Sequence, residues 1–302
     1  MNDTIFITDA EAGERLDKIL IARFQDKWSR TYFQRLIDEH LVLVNGEPVK
    51  KRVKPQAGDE VEIEFVITGE TDLEPEDIPL DILYEDEHLL AVNKAAGMVV
   101  HPAPGNWTGT FVNALIHHCD IAVTDTPLRP GIVHRLDKDT TGVLIAAKTA
   151  EVQRKLVAAF AERKVHKEYM AVVFGNPGNA GTIDEPIGRH KKKRQMMCVD
   201  LLGGRAAKTH FTTLSTDGKL SVVKLIIETG RTHQIRVHMR HLNTPVLGDP
   251  VYGNLQINKK YRVERQMLHA YCLELKHPIT GESLSLQAPL PEDMLAFTNL
   301  PK

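Results

Sequence analysis

Residues 131–142 read Gly131-Ile132-Val133-His134-Arg135-Leu136-Asp137-Lys138-Asp139-Thr140-Thr141-Gly142 and run straight into Val143-Leu144-Ile145-Ala146. Two carboxylates, two cations, a histidine and two hydroxyls crowd ahead of a purely apolar run. An interior strand does not carry such a load, because unpaired buried charge costs several kcal/mol. The polar stretch therefore reads as a loop at the end of a buried strand, where active sites are often held. On charge alone, a salt-bridged surface turn fits the same residues equally well.

Outward from this point, Leu89-Leu90-Ala91-Val92, Tyr169 to Phe174 and Val222 to Ile227 read as further short apolar strands, with helices expected near 111–118 and 150–163. Helices and strands interleave with connections of varied length. The expected class is α+β, a mixed, largely antiparallel sheet with helices packed on it.

The first 70 residues read as a separate module. Leu16, Ile19, Leu20 and Phe24 form the stripe of an amphipathic helix. Ser29 is the expected N-cap of a second helix carrying Phe33, Leu36 and Ile37 on its inner face. Leu41 to Val44 then meets Asn45-Gly46, a tight-turn signal between strands, and Val61 to Phe65 alternates as a strand should. This order resembles the RNA-binding domain named for bacterial ribosomal protein S4. The resemblance implies a basic groove on the second helix and hairpin, where Arg30, Arg35, Lys50, Lys51, Arg52 and Lys54 fall. The competing reading is an ordinary solvated face. Residues 66–80 hold Gly69, Pro75, Pro79 and many carboxylates and read as a linker, acidic over 71–80, and 81–302 read as a second, larger unit.

The net charge of −2 excludes a uniformly basic nucleic-acid binder, but the charge is unevenly spread. Residues 55–93 hold thirteen acidic residues and no Lys or Arg, whereas 189–194 read Arg189-His190-Lys191-Lys192-Lys193-Arg194. Phosphate affinity follows local basic surface, so this run is a candidate RNA contact at a hairpin tip. Its alternative is a mobile, solvated loop. Cys119, Cys198 and Cys272 form no CxxC pair, which points to reduced thiols in a cytoplasmic protein. His233, His238 and His241 match no zinc spacing, so no metal is expected. No apolar run is long enough for a membrane span, and the N-terminus lacks the apolar core of a signal peptide.

The segment quoted first is similar to the His-Arg-Leu-Asp signature of the RluA family of pseudouridine synthases, including the Asp-Thr-Thr-Gly that follows. The family's other stretches occur in order: Leu90-Ala91-Val92-Asn93-Lys94 with Gly97 and His101-Pro102; Lys167-Glu168-Tyr169; Glu228-Thr229-Gly230-Arg231-Thr232-His233-Gln234-Ile235-Arg236-Val237-His238-Met239; and Gly248-Asp249-Pro250-Val251-Tyr252-Gly253. Several ordered motifs are far more specific than one. A departure is Ala95 and Ala96, where the family usually has Pro after Asn-Lys. Glu185-Pro186-Ile187-Gly188-Arg189-His190 and the S4-like module look most like the RluD branch, which acts on a stem-loop of 23S large-subunit ribosomal RNA.

The resemblance implies the pseudouridine synthase fold and conversion of uridine to pseudouridine in structured RNA. It assigns Asp137 as the carboxylate that meets the ribose, Arg236 as its partner, Tyr169 as the ring against the base, and Arg135 as the side chain that fills the vacated stack. The product C-glycoside is the more stable isomer, so the reaction needs no ATP or redox cofactor, and no Walker-type loop is present. A guanidinium favours an ionised carboxylate, and its planar fork is expected to hold both Asp137 oxygens. Attack on ribose carbon 1 and proton removal from carbon 2 remain equally open. His134 is expected to be a hydrogen-bonding support, and Asp139 to bond nearby backbone or Lys138. The implied partner is ribosomal RNA or the pre-ribosomal large subunit, bound by a monomer with no membrane and no nucleotide cofactor. The rivals are a non-catalytic RNA-binding assembly factor and a base-excising hydrolase.

Overall fold

A computed structural model describes residues 2–24, 30–65, 73–102, 106, 108–119, 130–193 and 196–298. The chain divides into two compact units, the first containing Met1–Pro75 and the second comprising Glu76–Cys119 and Gly131–Lys302. No helix among the described residues is long and apolar enough to cross a membrane.

The first unit contains β1 (Asn2–Phe6), α1 (Leu16–Arg23), α2 (Arg30–Asp38), β2 (Val42–Val44), β3 (Glu47–Pro48) and β4 (Glu60–Glu64). Its sheet is antiparallel in the order β1-β4-β2-β3. The helical stripe is buried as its spacing requires, with Leu16, Ile19, Leu20, Phe33, Leu36 and Ile37 in one core with Val42, Val61 and Ile63. Asn45 and Gly46 both take positive φ, 52° and 77°, which closes the two-residue hairpin between β2 and β3. In β4, Val61 and Ile63 point inward and the glutamates outward. The sequence gives no sign of β1. It lies at the sheet edge, Ile5 is only partly buried and Phe6 is exposed, so no alternating pattern marks it. Ser29, the expected helix cap, lies outside the described residues, as do residues 66–72 of the expected linker region. Glu76 is held within the second unit: its N–H donates to the Asn113 carbonyl and its carboxylate accepts the Gly109 N–H.

The second unit contains β5 (Ile82–Glu85), β6 (Leu89–Lys94), α3 (Phe111–Cys119), β7 (Thr141–Ala147), α4 (Ala150–Ala161), β8 (His166–Phe174), β9 (Ala180–Asp184), β10 (Ile187–Arg189), β11 (Met197–Val199), β12 (Lys208–Thr216), β13 (Leu220–Ile227), α5 (Gln234–His241), α6 (Leu255–Tyr261), β14 (Leu268–Lys276), β15 (Ser283–Gln287) and α7 (Glu292–Leu295). Its nine-stranded sheet runs β5-β6-β7-β14-β8-β13-β12-β9, with β15 also paired to β14. Among the described residues only β7 and β14 pair in parallel, so the sheet is mixed and largely antiparallel, as expected. Every residue of β7 is buried, as its continuous apolar run demands of a strand covered on both faces. Thr149 caps α4 by accepting the Val152 N–H, and Val152 and Leu156 pack onto Val143 and Ile145 of β7. The strands β10 and β11 form a separate antiparallel hairpin around the basic run.

Gly142 marks where the polar loop becomes β7. Its φ is +109°, and a Cβ there would lie 2.2 Å from the Ala270 carbonyl oxygen across the parallel pairing. Neither position can yield without moving backbone. Gly142→Ala is therefore expected to lower stability by at least about 2 kcal/mol, measured by urea unfolding, and a wild-type midpoint would contradict this account of the loop.

Candidate active site

The loop that carries Asp137 is fixed by side chains from distant segments. The Thr140 N–H donates to the Asp137 carbonyl at 3.1 Å, a turn that presents the carboxylate. Lys94 Nζ donates to the carbonyls of Ala95, Met98 and Lys138 at 2.8, 3.0 and 2.9 Å. Arg265 Nη1 donates to the Asp139 carbonyl at 3.2 Å, and Thr141 Oγ1 pairs with His269 Nδ1 at 2.8 Å. Asp139 is thus tied down through its backbone rather than through a side-chain bond to Lys138. Lys94 is fully buried, and its ammonium pKa falls to about 8 because burial outweighs the nearby Asp139 and Asp137 charges.

Asp137 and Arg236, 99 residues apart in sequence, meet here: Arg236 Nη1 donates to Asp137 Oδ2 at 2.9 Å. Arg236 sits on α5 and is only 5% exposed. Its fork, however, does not hold both Asp137 oxygens. Nε and Nη2 grip the two oxygens of Asp249, at 2.6 and 3.0 Å, and a single N–H remains for Asp137. Asp249 is completely buried and also accepts the Val251 and Tyr252 N–H groups at 2.8 and 2.9 Å. Burial works against the Arg236 charge, but the Asp249 hydrogen bonds and the two carboxylate charges outweigh it, so its pKa rises. The Tyr252 ring lies under the guanidinium, 5.1 Å from Cζ.

His233 caps α5 in the left-handed region, at φ 58°, with Nε2 4.0 Å from Asp137 Oδ2 and Nδ1 2.8 Å from the Tyr252 hydroxyl. That hydroxyl accepts the Met197 N–H at 2.8 Å. We assign its own proton to His233 Nδ1, which leaves the imidazole N–H on Nε2, towards Asp137. Burial lowers the His233 pKa against the pull of Asp137, so the ring is neutral at physiological pH. Arg236 and His233 both face Oδ2. Among the described residues, Asp137 Oδ1 accepts no hydrogen bond.

Asp137 lines a cleft of about 460 Å³ together with Arg135, Tyr169, His233 and Arg236. Tyr169 is 9% exposed, and burial, then the Asp137 charge, push its phenol pKa up, so the hydroxyl is protonated. Arg135 is exposed at the cleft. His134 is a support, as expected: Nε2 accepts the Ile145 N–H at 3.0 Å and the ring stacks on Phe160 at 4.7 Å.

Burial, and secondarily the Lys167 charge, lower the His134 pKa to about 3. The unfolded chain, with a histidine near 6.5, binds more protons than the folded chain between these values. The stability His134 contributes is therefore complete above pH 6.5 and drains away as pH falls towards 3. Between pH 7 and pH 5 the loss is expected to be about 2 kcal/mol. His134→Gln keeps an acceptor but cannot titrate, so its urea midpoint is expected to vary less over this range. Parallel pH profiles for the two proteins would contradict the assignment.

The RNA pseudouridylate synthase family matches residues 88–241, and the S4 domain matches residues 14–61. "Ribosomal large subunit pseudouridine synthase D" of Escherichia coli strain K12 is 43% identical, covering 97% of this chain and 92% of that protein. "Uncharacterized RNA pseudouridine synthase YlyB" of Bacillus subtilis strain 168 is 46% identical, over 96% of this chain and 95% of that protein. The chain belongs to the RNA pseudouridylate synthase family. Among solved structures, "Human RNA Pseudouridylate Synthase Domain Containing 1" superposes with a TM-score of 0.58 at 28% identity, covering 71% of this chain and 84% of that one.

As a pseudouridine synthase the chain isomerises uridine to pseudouridine in RNA, and its remaining candidate residues fall into place unevenly. In the S4 domain, Lys50, Arg52 and Lys54 are exposed. Lys51 pairs with Asp38, and Arg35 lies over the Tyr32 ring and 3.6 Å from Glu39, so these two are partly committed within the fold. Arg30 opens α2, but its side chain lies outside the described residues, as does Arg194. Arg189, Lys191, Lys192 and Lys193 are exposed around the turn between β10 and β11, where His190 Nδ1 accepts the Lys192 and Lys193 N–H groups. His238 is a satisfied core residue, held by Thr209 Oγ1 and the Glu185 carbonyl. Glu85, His118 and Cys119 bring potential ligand atoms within 4.8 Å of one another, but the Lys148 ammonium occupies Glu85 at 2.6 Å. Sequence reasoning gave no role to Asp249, His233, Tyr252 or Lys94. The Gly-Asp-Pro-Val-Tyr-Gly stretch was the available signal for two of them.

Proposed function

We propose that this pseudouridine synthase acts on large-subunit ribosomal RNA and that Asp137 is the carboxylate that meets the ribose of an everted uridine. The observation that carries the proposal is the division of labour at Asp137: Oδ2 is held by Arg236, while Oδ1 is left open in the cleft beside Tyr169. A glycosidic carbon is hidden while its base is stacked, so the nucleotide must leave the helix first. Eversion costs a few kcal/mol, and stacking on an aromatic ring returns about 1–3 kcal/mol. Loops and bulges that are already partly open are therefore the favoured targets. Arg135, exposed two residues before Asp137, fills the vacated position in the stack.

In the reaction the N1–C1′ bond breaks, uracil turns, and C5 bonds to C1′. The proton then leaves C5, and N1 gains one. Asp137 Oδ1 either attacks C1′, forming an ester that breaks when C5 bonds there, or removes the C2′ proton as the N1–C1′ bond breaks and returns it as C5 bonds to C1′. Tyr169 stacks on the base, and because its phenol is protonated it takes the C5 proton only as a relay, passing its own hydroxyl proton on to solvent in the same step. The relatives named as large-subunit synthases support ribosomal RNA as substrate. The S4 unit, through Lys50, Arg52 and Lys54, and the β10–β11 tip, through Arg189 and Lys191 to Lys193, supply phosphate contacts that position the RNA. On this reading the protein works as a monomer in the cytoplasm.

The test is incubation of the purified chain with ribosomal RNA and mapping of carbodiimide-reactive pseudouridines. Mass-neutral modification within the large-subunit RNA is expected. Release of free uracil would identify a hydrolase, and binding without modification would identify an assembly factor.

A further inference from the structure

The cleft holds a second group of charges that the chemistry at Asp137 does not use. Lys167 lies on β8 two residues before Tyr169, on the same face of the strand and about 7 Å from it. It is 8% exposed. Around it in the same cleft are Arg163, Arg205 and Arg231. The Lys167 ammonium makes no hydrogen bond or ion pair with any described residue, and the charges that act on it are those of Arg163 and Arg231. Arg231 Nε is oriented by the Ala206 carbonyl at 3.1 Å, and the Arg205 side chain is exposed.

Buried cations in folded proteins are normally paired, since an uncompensated one costs several kcal/mol. Here compensation is scarce. Glu228 Oε2 is 3.7 Å from Arg163, but that carboxylate already bonds His210 at 2.8 Å. Asp137 is engaged by Arg236. Burial and the neighbouring guanidiniums push the Lys167 pKa down, and burial and its cationic neighbours do the same to Arg231. Four cations, graded from an exposed rim to a buried floor, thus converge with one shared carboxylate among them. Such a cluster is built for an anion that arrives with the substrate.

We propose that Arg163, Lys167, Arg205 and Arg231 form a subsite for a phosphodiester of the RNA backbone beside the everted uridine. This rests on the reading of RNA as substrate. The spacing of Lys167 from Tyr169 sets a nucleotide's backbone against the lysine while its base meets the ring. Arginine forks at the rim bind phosphate oxygens in pairs, and the lysine supplies a point charge at the floor. The β10–β11 tip and the S4 cations then steer the RNA, while this cluster fixes the register of the one nucleotide that reacts.

The test uses the full chain and a ribosomal stem-loop transcript, with affinity measured between about 50 and about 200 mM salt. Lys167→Met is expected to weaken binding roughly five- to tenfold at the lower salt and to reduce the slope of log affinity against log salt by about 0.7–0.9. Without RNA, the same variant is expected to melt at a higher temperature than wild type, because it removes an uncompensated charge. A structural lysine would give the reverse, a lower melting temperature with an unchanged salt slope, and that result overturns the proposal. Arg205→Gln, on the exposed rim, tests the same point without touching the core: its slope must also fall, and an unchanged slope overturns the subsite. Pseudouridine formation by the wild-type chain is scored separately. If it occurs while the variant slopes are unchanged, the subsite fails alone. If it does not occur, the functional reading fails, whatever the slopes.

Discussion

Asp137→Asn is expected to fold, to bind RNA as the wild type does, and to leave every uridine unmodified, with a rate at least about 10³-fold lower. The substitution is nearly isosteric, and its amide oxygen still accepts from Arg236 Nη1. Arg236 also keeps both bonds to Asp249, so no buried charge is orphaned. Loss of stability should not exceed about 2 kcal/mol. On the proposed role, what the variant loses is the charged oxygen that attacks C1′ or takes the C2′ proton. Single-turnover assays with excess enzyme separate this from binding. Residual activity within tenfold of wild type would place the essential carboxylate elsewhere.

Asp249→Ala is expected to fail differently. Asp249 touches no cleft space, yet it holds the two guanidinium nitrogens that orient Arg236 and accepts two backbone N–H groups. Removing it leaves a guanidinium buried with one partner instead of three bonds, a change that costs about 3–5 kcal/mol. The guanidinium then swings off Asp137, so activity falls along with stability. Asp249→Asn is the milder control, since its one amide oxygen can still accept the Val251 and Tyr252 N–H groups, which share a single Asp249 oxygen. Thermal unfolding read beside activity distinguishes the two aspartates: Asp137→Asn loses activity alone, and Asp249→Ala loses both. If Asp249→Ala melts with the wild type, Arg236 is anchored by something else.

Much of the fold could be read from pattern alone. The alternation of Val61 and Ile63 with glutamates, the Asn45-Gly46 turn, and the unbroken apolar run of β7 each have one easy structural solution. The polar load of 133–140 could only be a loop, and it is one. The meeting of Asp137 with Arg236 was legible only through resemblance, because 99 residues separate them and no local rule links them. The fork was misread for a related reason. Which carboxylate an arginine grips depends on the angle at which α5 delivers it, and that angle is set by packing. Asp249 wins because it is wholly buried and its competing water is gone, whereas Asp137 is 19% exposed. Lys51 shows the same limit on the surface: a lysine in a basic run looks free until the fold brings Asp38 beside it. The edge strand β1 was missed because a strand with one paired edge and a mostly solvated face needs no apolar rhythm.

The most direct test of the central claim is the structure of the chain bound to a ribosomal stem-loop that it modifies. The account predicts an everted uridine in the cleft, its base against Tyr169 and its ribose C1′ or C2′ within about 3.5 Å of Asp137 Oδ1, with Oδ2 still on Arg236. A bound RNA whose target ribose stays clear of Asp137, or whose sugar is approached by a different carboxylate, would contradict it.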